Sequence, residues 1–507
     1  MMARTRKTRS KIEFGDFQTP PDLAEKVCHT LLRQGVSPRA ILEPNCGRGN
    51  LLIAALETFP HAQKAVGVEI NDDYVREATQ RLRELSPTAE TDIIHGDFFV
   101  VDWESILSSL PPPILIIGNP PWVTNAELGR IESANLPEKS NIQKISGIDA
   151  ITGKSNFDIS EWMIIRELEW LQNRDSSLAV LCKTSVARKA LLHAWKNNFR
   201  LSRAMIFNID AAIHFGAAVN ACLLIVVTEG DAHIQTCQIY TSLKDYQPQN
   251  TIGYRDGRLI ADIQRYERWK HLQGHNAHYQ WRSGVKHDAA QIMELTPDGE
   301  RFRNGLGEQV ELEPTFLYPM YKGSEIAHGA QSPTRWMLIP QKTVAANTRE
   351  IQLTAPKTWQ YLLAHAAQLD ARKSAIYRNR PRFSIFGVGD YTFAPWKVAI
   401  SGFYKFLRFR VVGPWQDKPV VFDDTSYFLA CKSEEEAVFL AQLLNSKPAQ
   451  EFYSAFVFWD AKRPVTISLL KLLNIQALAR ELGMEDVYQS FQNGSSQKHA
   501  TQMMLSL

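Results

Sequence analysis

The sequence of 507 residues has few of the features that mark membrane, secreted or metal-binding proteins. Its six cysteines include no CxxC pair and no zinc-ligand spacing, so we expect reduced thiols and no metal site. No apolar run approaches the ~18 residues that a transmembrane helix needs. The basic start, MMARTRKTRSK, is not followed by the apolar segment of a secretory signal. These absences predict a soluble cytoplasmic protein without a membrane partner.

A large excess of charge of one sign is also absent. The formal net charge is +3 at pH 7, so a surface for nucleic acid requires an uneven distribution of basic residues. Hydrophobic residues at 44% and charged residues at 22% are typical of a globular protein. Because the chain is too long for one ordinary core, we expect two domains.

Strand-like and helix-like segments alternate from the start of the chain to about residue 230. Seven short apolar segments are predicted strands: 40–44, 64–70, 91–97, 114–119, 177–184, 203–208 and 221–228. Helices are predicted between them, for example at 20–34, 50–59, 72–85 and 158–173. This alternation predicts an α/β doubly wound sheet. The segment 123–156 has no clear periodicity, and a loop of that length is usually functional or mobile.

The regular alternation stops near residue 230, where polar, aromatic and basic stretches begin. We therefore place a domain boundary between residues 235 and 236. The second domain, residues 236–507, is predicted to be α+β with a helical C-terminal end. The tail from about residue 489 is polar, so we expect it to be frayed.

A glycine turn follows the first predicted strand, in the sequence EPNCGRGN. Gly47 and Gly49 permit a tight turn and close approach of a ligand to the backbone. Glu69 ends the next strand, where an acidic residue suits the hydroxyls of a ribose. The turn lacks the GxGxxG pattern, and Glu43 adds a negative charge beside it, which favours S-adenosylmethionine over NAD. By itself, a purely structural turn is an equal alternative.

Two further strands end in residues that can bind a purine or an amine. HGDFF places Asp97 and Phe98 after the third strand; the alternative is a turn acid beside a core phenylalanine. ILIIGNPPW ends the fourth strand with Asn119, Pro120, Pro121 and Trp122. The two prolines lack N–H donors and stiffen the chain, so they indicate either a simple strand end or a rigid loop that presents Asn119.

The order FQTP, EPNCGRG, VEIN, GDFF and NPPW resembles the S-adenosylmethionine-dependent DNA adenine-N6 methyltransferases of bacterial restriction-modification systems. The resemblance covers about residues 14–228, and FAPWKVAISGFYK, DDTSYF and FWDAKRP extend it into the second half. It implies a Rossmann-like methyltransferase sheet of seven strands and a C-terminal α+β target-recognition domain. The implied partners are double-stranded DNA and, as an open question, a separately encoded restriction endonuclease. RNA or protein-glutamine methylation, or a methylase within a restriction nuclease system, is the alternative.

The resemblance also implies roles for individual residues. The implied catalytic residues are Asn119, Pro120, Pro121 and Trp122, with Trp122 and Phe215 stacking on a flipped target base. The implied cofactor site consists of Phe17, Thr19, Pro20, Glu43, Pro44, Gly47, Gly49, Glu69, Ile70, Asp97, Phe98 and Asn119.

Basic residues and aromatic residues are interleaved between positions 372 and 418, with only Asp390 and Asp417 opposing the positive charge. This pattern favours a surface that binds phosphate, although a core of aromatics beneath ordinary solvated charges is the alternative. The candidate DNA-binding residues here and in FWDAKRP are Arg382, Lys397, Lys405, Arg408, Lys462 and Arg463.

Overall fold

The computed structural model describes residues 18–122 and 158–493. The chain divides into two compact units, Met1–Ile263 and Gln264–Leu507. Phe17 and the segment 123–156 lie outside the described residues, as does the part of the predicted tail beyond residue 493. In the described part of the chain, no helix is long and apolar enough to cross a membrane.

The first unit is built on a ten-stranded mixed sheet. The strands are β1 (Ala40–Glu43), β2 (Lys64–Glu69), β3 (Glu90–His95), β4 (Ile114–Gly118), β5 (Ser176–Lys183), β6 (Arg203–Asp210), β7 (Asn220–Thr228), β8 (Thr236–Tyr240), β9 (Asn250–Arg255) and β10 (Arg258–Ile260). The helices are α1 (Pro21–Arg33), α2 (Asn50–Thr58), α3 (Asp72–Leu85), α4 (Trp103–Ser108), α5 (Ile159–Trp170), α6 (Thr184–Lys196) and α7 (Ala211–Phe215).

All seven predicted strands are present, and the predicted α/β doubly wound class is confirmed. Their order in the sheet is β6-β7-β5-β4-β1-β2-β3. Strands β5, β4, β1, β2 and β3 are parallel, whereas β7 pairs antiparallel with both β5 and β6. Strands β1, β4 and β5 are almost entirely buried because the sheet is covered on both faces, which explains their continuous apolar sequences.

The predicted sheet of seven strands and the predicted boundary after residue 235 are both corrected. Strand β8 pairs in parallel with β6, and β9 and β10 extend the same sheet, so the first unit ends at Ile263. The Tyr240 ring of β8 stacks on Phe207 of β6 with their centroids 4.2 Å apart. These strands therefore belong to the core of the first unit.

The second unit is α+β, as predicted, and contains two sheets in its described residues. One has the order β11-β20-β17-β18 and the other β14-β13-β12-β16-β15-β19. The strands are β11 (Arg282–Ser283), β12 (Glu294–Asp298), β13 (Arg301–Arg303), β14 (Gln309–Val310), β15 (Leu317–Tyr321), β16 (Arg335–Leu338), β17 (Trp396–Ser401), β18 (Arg410–Val412), β19 (Val421–Phe422) and β20 (Ser426–Cys431).

Short helices accompany these sheets, and helices dominate the C-terminal end as predicted. They are α8 (Ile263–Trp269), which spans the division between the units, α9 (Ala290–Met293), α10 (Gly323–His328), α11 (Ile351–Thr354), α12 (Pro356–Ala364), α13 (Ala366–Asp370), α14 (Glu434–Asn445), α15 (Lys447–Ser454), α16 (Ile467–Leu470), α17 (Ile475–Glu481) and α18 (Glu485–Gln492). Helix α18 corrects part of the predicted frayed tail, because it continues to Gln492 and Phe491 packs against the core.

Candidate active site

The candidate site lies at the carboxyl edge of the parallel strands of the first unit. Adjacent strands in the order β4-β1-β2-β3 end, respectively, at the Asn119 loop, the glycine turn, Glu69 and the Asp97 turn. The carboxyl ends of neighbouring parallel strands meet at one edge of a sheet, which is where α/β proteins bind ligands. The fold therefore brings together the four motifs that the sequence places far apart.

The glycine turn has the left-handed backbone that its sequence predicts. Gly47 has φ +52° and Gly49 has φ +78°, a region that residues with a Cβ rarely adopt. The Gly47 N–H donates to Glu69 Oε2 at 2.8 Å, and the Asn71 N–H donates to Glu69 Oε1 at 2.8 Å. The Glu69 carboxylate thus joins the turn to the end of β2.

Glu43 does not place its charge at the mouth of the turn, which corrects that prediction. Its side chain is only 3% exposed, and Oε2 accepts a hydrogen bond from the Leu52 N–H of α2 at 3.0 Å. Burial raises the pKa of Glu43 well above its ordinary value. Pro44 is also buried, so both residues support the turn from beneath.

The segment before α1 packs directly against the site. The Thr19 hydroxyl accepts from Asn119 Nδ2 at 3.2 Å, and the Thr19 carbonyl accepts from Asn50 Nδ2 at 2.7 Å. Pro20 directly precedes α1, and the Gln18 side chain accepts from the Arg48 N–H at 3.1 Å. Thr19 therefore links Asn119 to the start of α2, as expected of a residue that encloses the site.

The Asn119–Trp122 loop is fastened by side chains on neighbouring elements. Asn45 Nδ2 donates to the Asn119 carbonyl at 2.9 Å, and Lys183 Nζ donates to the Trp122 carbonyl at 3.0 Å. The Trp122 indole N–H in turn donates to the Leu181 carbonyl at 3.3 Å. Pro120 and Pro121 have no backbone N–H to donate, so the loop is fixed by these side-chain hydrogen bonds.

Trp122 and Phe215 are neighbours, but only one of them suits the predicted stacking role. Their ring centroids are 4.9 Å apart with an edge-to-face angle of 68°. Trp122 is only 5% exposed and belongs to the main core of the unit, whereas Phe215 is half-buried at the end of α7. The prediction of Trp122 as an open platform is corrected to that of an anchor for the loop.

Asp97 and Phe98 follow β3, as predicted, but their surroundings differ. Asp97 Oδ1 accepts from the Phe99 N–H at 2.9 Å and shapes the turn. The Phe98 ring is 8% exposed and packs in a cluster with Trp103, at 5.1 Å between centroids, and Trp170, at 5.6 Å. The structure thus favours the alternative of a core phenylalanine over a ring that stacks on a purine.

Comparison with known proteins identifies the family. No protein-family model matches the chain. The sequence is 47% identical over 473 residues to the type II methyltransferase M.NspV of Nostoc sp. (strain ATCC 29411 / PCC 7524), covering 93% of this chain and 98% of that protein. The chain belongs to the type II methyltransferases. Its cofactor is S-adenosylmethionine, which confirms the prediction.

Two further similarities agree with this family. The type II methyltransferase M.BanIII of Aneurinibacillus aneurinilyticus is 30% identical over 150 residues, which cover 26% of each chain. The Type IIL restriction-modification enzyme MmeI, solved in complex with DNA, aligns with a TM-score of 0.51 and 13% identity over 95% of this chain and 68% of that chain. The latter similarity confirms the fold of this methyltransferase, a Rossmann-like sheet followed by further sheets.

The residues at this edge of the sheet have the chemistry that the cofactor requires. Gly47 has no side chain to obstruct a ligand beside the turn, and its φ of +52° disfavours any other residue there. Glu69 lies against this turn, and Ile70, which is 36% exposed, offers apolar surface beside it. Asn45 Oδ1 is buried without a hydrogen-bond partner among the described residues and is an available acceptor. Among residues 18–122 and 158–493, no group of His, Cys, Asp and Glu side chains could hold a metal ion.

Sequence reasoning missed three residues that shape the methyltransferase site. Asn45 lies within the quoted turn, Lys183 is the last residue of β5, and Asp158 caps the N-terminus of α5. A signal was present for Asp158, because Asp-Ile-Ser-Glu has the spacing of a helix cap. The contacts of Asn45 and Lys183 depend on side-chain direction, which the sequence did not indicate.

In the second unit, the prediction that Lys397 binds DNA is wrong. This lysine lies in the central strand β17, is 1% exposed, and donates to the carbonyls of Ala394 at 2.6 Å and Val420 at 2.8 Å. Burial lowers the pKa of Lys397 to about 7. Arg382 is exposed, but it forms an ion pair with Asp370 in which Nη2 lies 2.6 Å from Oδ2.

The remaining candidates of the second unit are Lys405, Arg408, Lys462 and Arg463. Together with the neighbouring Phe403 and Phe406, we define them as the basic aromatic patch. All except Arg463 are exposed. The Arg463 guanidinium lies over the rings of Phe403, at 5.2 Å, and Tyr427, at 5.1 Å, and it donates to the Asp424 carbonyl. Arg463 therefore joins the two segments of the patch, while Lys405, Arg408 and Lys462 are its exposed cations.

Proposed function

We propose that this type II methyltransferase modifies the N6 amine of adenine within a specific sequence of double-stranded DNA. The observation that carries the proposal is the Asn119–Trp122 loop, fastened at the carboxyl end of β4 beside the glycine turn. The relative M.NspV is by name a type II methyltransferase, which supports a place in restriction-modification. A separately encoded endonuclease would be the partner of this protein in the cytoplasm.

Asn119 would act on the electronic state of the target amine. The N6 lone pair of adenine is delocalised into the ring, so acceptors directed at both N6 hydrogens favour a nitrogen with an available lone pair. The hydrogen bond from Asn119 Nδ2 to Thr19 turns the amide so that Oδ1 lies on the opposite side and is one such acceptor. The Pro120 carbonyl would be the second acceptor.

The prolines would hold this pair of acceptors in a fixed direction before substrate binds. Each proline ring restricts its backbone torsion, and hydrogen bonds fix the carbonyls of the flanking Asn119 and Trp122. Acceptors arranged in advance lose no reorganisation energy during the reaction. Positioning the amine in line with the methyl donor supplies a further part of the rate.

The cofactor would lie against the glycine turn. Glu69 would bind the ribose hydroxyls and Ile70 would cover the adenine face, with Asp97 accepting from the adenine amine. Thr19, Pro20, Gly47 and Gly49 would enclose the remaining part. S-adenosylmethionine supplies an electrophilic methyl group when bound.

The target adenine would have to leave the duplex to reach Asn119, because an amine inside the base stack is inaccessible to the loop. Phe215 would stack on the extruded base, which contributes on the order of 1–3 kcal/mol. Trp122 would hold Phe215 and the loop in place from the core side. The basic aromatic patch of the second unit would contact phosphates.

The direct test is expression in a bacterial host that lacks adenine methylation, followed by mapping of modified bases with long-read sequencing. We expect N6-methyladenine in one short sequence motif. Methylcytosine in a motif would contradict the base assignment, and an unmodified genome despite cofactor binding would favour RNA or protein-glutamine as substrate. The Asn119→Ala variant should still bind S-adenosylhomocysteine in calorimetry, because the glycine turn and Glu69 would hold most of the cofactor, but it should leave the genome unmodified. Normal modification by that variant would overturn the proposed mechanism.

A further inference from the structure

The prolines of the Asn119–Trp122 loop prevent the backbone hydrogen bonds of the sheet from fixing the loop. Pro120 and Pro121 cannot donate backbone hydrogen bonds, and β4 ends at Gly118, so the sheet ladder does not continue through the loop. Strand β5 extends further, to Lys183, and runs beside the loop. Contacts from the end of β5 are therefore well placed to fix the loop.

Lys183 makes the contact at the far end of the loop. Its ammonium donates to the Trp122 carbonyl at 3.0 Å and to Asp158 Oδ2 at 2.7 Å. The side chain is 21% exposed and that of Asp158 is 8% exposed, so water screens this ion pair little. Charge-assisted hydrogen bonds of this length are directional and stronger than neutral ones.

Asp158 is held in turn by the start of α5. Its Oδ1 accepts from the Ser160 N–H at 3.2 Å and from the Ser160 hydroxyl, which caps the helix. The carboxylate therefore has one oxygen committed to α5 and the other to Lys183. The result is a continuous series of contacts from α5 through the end of β5 to the carbonyl of Trp122.

We propose that Lys183, oriented by Asp158, is a positioning residue that sets the direction of the Asn119–Trp122 loop for methyl transfer. This inference rests on the proposed function of that loop. Lys183 touches neither of the reacting groups; it acts through the backbone of Trp122. Without its ammonium, the Trp122 carbonyl loses this charge-assisted hydrogen bond, which ties the far end of the loop to the end of β5.

A second lysine provides a matched control. Lys189 of α6 donates to the buried carboxylate of Glu161 in α5 at 2.8 Å, so it also joins α5 to the segment that follows β5. Its ion pair is also a contact between a lysine and a buried carboxylate, at 2.8 Å against 2.7 Å for Lys183, although Lys189 is the more exposed lysine. The Lys189→Met variant should therefore reproduce the structural loss of a lysine–carboxylate contact at this helix without releasing the loop.

The test is single-turnover transfer of tritiated methyl from S-adenosylmethionine to unmethylated genomic DNA. The Lys183→Met variant should transfer methyl ~100-fold more slowly than wild type, because a small displacement of reacting groups has an effect of that order. The dissociation constant for DNA, measured by fluorescence anisotropy, and the affinity for S-adenosylhomocysteine should remain within about twofold. Lys183→Arg retains the charge and the donors and should recover most of the rate.

Asp158 tests whether the two side chains act as a unit. Asp158→Asn retains an acceptor for Lys183 and should lower the rate less than Lys183→Met does. The double variant should be little slower than Lys183→Met alone, because coupled residues are not additive. Additive losses would contradict the orienting role of Asp158.

The outcomes separate this inference from the proposed function. Methyl transfer to DNA by wild type, with an equal rate in Lys183→Met, would overturn the inference alone. Equal losses in Lys183→Met and Lys189→Met, in step with lowered melting temperatures, would also overturn it, since the effect would then be one of folding. No transfer to DNA by wild type would overturn the proposed function, whatever the variants do.

Discussion

At the scale of the residue, the candidate site depends on positions at the carboxyl ends of parallel strands. Asn119, Gly47 and Asp97 each follow a strand and Glu69 ends one, and parallel strands bring such positions to one edge. The Glu43 side chain does not point into the site. It lies beneath the glycine turn and accepts a hydrogen bond from the Leu52 N–H of α2. The direction of a side chain depends on packing partners that are remote in sequence, and no local pattern reports it.

The sequence likewise does not indicate that the charged side chain of Lys397 is buried. This burial has a testable effect on the free energy of unfolding. Burial lowers the pKa of Lys397 from the ordinary lysine value to about 7 in the folded protein. Between that value and the unfolded pKa of roughly 10.4, the unfolded chain binds more protons, so stability rises with pH. We expect the wild type to gain about 2 kcal/mol relative to Lys397→Met between pH 7 and pH 9.

The measurement is urea denaturation of both proteins at pH 7, 8 and 9, followed by tryptophan fluorescence. Other titrating groups are common to the two proteins and cancel in the difference. Since the Ala394 and Val420 carbonyls lose their donor in the variant, the absolute stability at one pH is less informative than the change with pH. A difference that stays constant over this range would show that Lys397 keeps its ordinary pKa in the folded state.

At the scale of the element, hydrophobic periodicity locates the main strands and helices of the first unit. The predicted helix 72–85 agrees with α3, and the predicted strand 177–184 agrees with β5 to one residue. Strands β8 to β10 were missed because they are short and partly polar, as expected of strands toward the edge of a sheet. The change in composition near residue 230 marks the end of the buried strands and not the end of the unit.

This distinction predicts how fragments of the chain behave. A fragment of residues 1–263 should be soluble, melt cooperatively and bind S-adenosylhomocysteine. A fragment of residues 1–235 lacks β8, which leaves the buried Phe207 and an unpaired edge of β6 exposed. Loss of one large aromatic contact costs on the order of 1.5–3 kcal/mol, and an open apolar edge promotes aggregation.

Thermal melting and size-exclusion chromatography of the two fragments provide the comparison, with the full chain as reference. We expect the shorter fragment to melt at least ~5 °C lower or to elute as aggregates. Equal melting temperatures and equal monomer peaks would mean that the unit is complete at residue 235.

At the scale of the whole molecule, a chain of net charge +3 still carries a local excess of exposed cations in its second unit. Composition predicted a basic region there, and the structure sorts its members by exposure: Lys397 is buried, whereas Lys405, Arg408 and Lys462 are exposed beside Phe403 and Phe406. Lys397 is buried because it lies in a strand that is paired on both sides. The overall charge of the chain does not reveal this difference in exposure.

The basic aromatic patch predicts a specific change in the salt dependence of DNA binding. Each phosphate contact releases condensed counterions, so the slope of log K against log salt concentration changes by ~0.9 per contact. The triple variant Lys405→Ala, Arg408→Ala, Lys462→Ala should therefore reduce the magnitude of the slope by up to about 2.7 on a duplex of random sequence. Fluorescence anisotropy at several potassium chloride concentrations measures it. Lys447→Ala, which removes an exposed lysine of α15 outside the patch, should leave the slope unchanged. Equal slopes for the triple variant and wild type would place the phosphate contacts elsewhere, because exposed cations that bind no phosphate release no counterions.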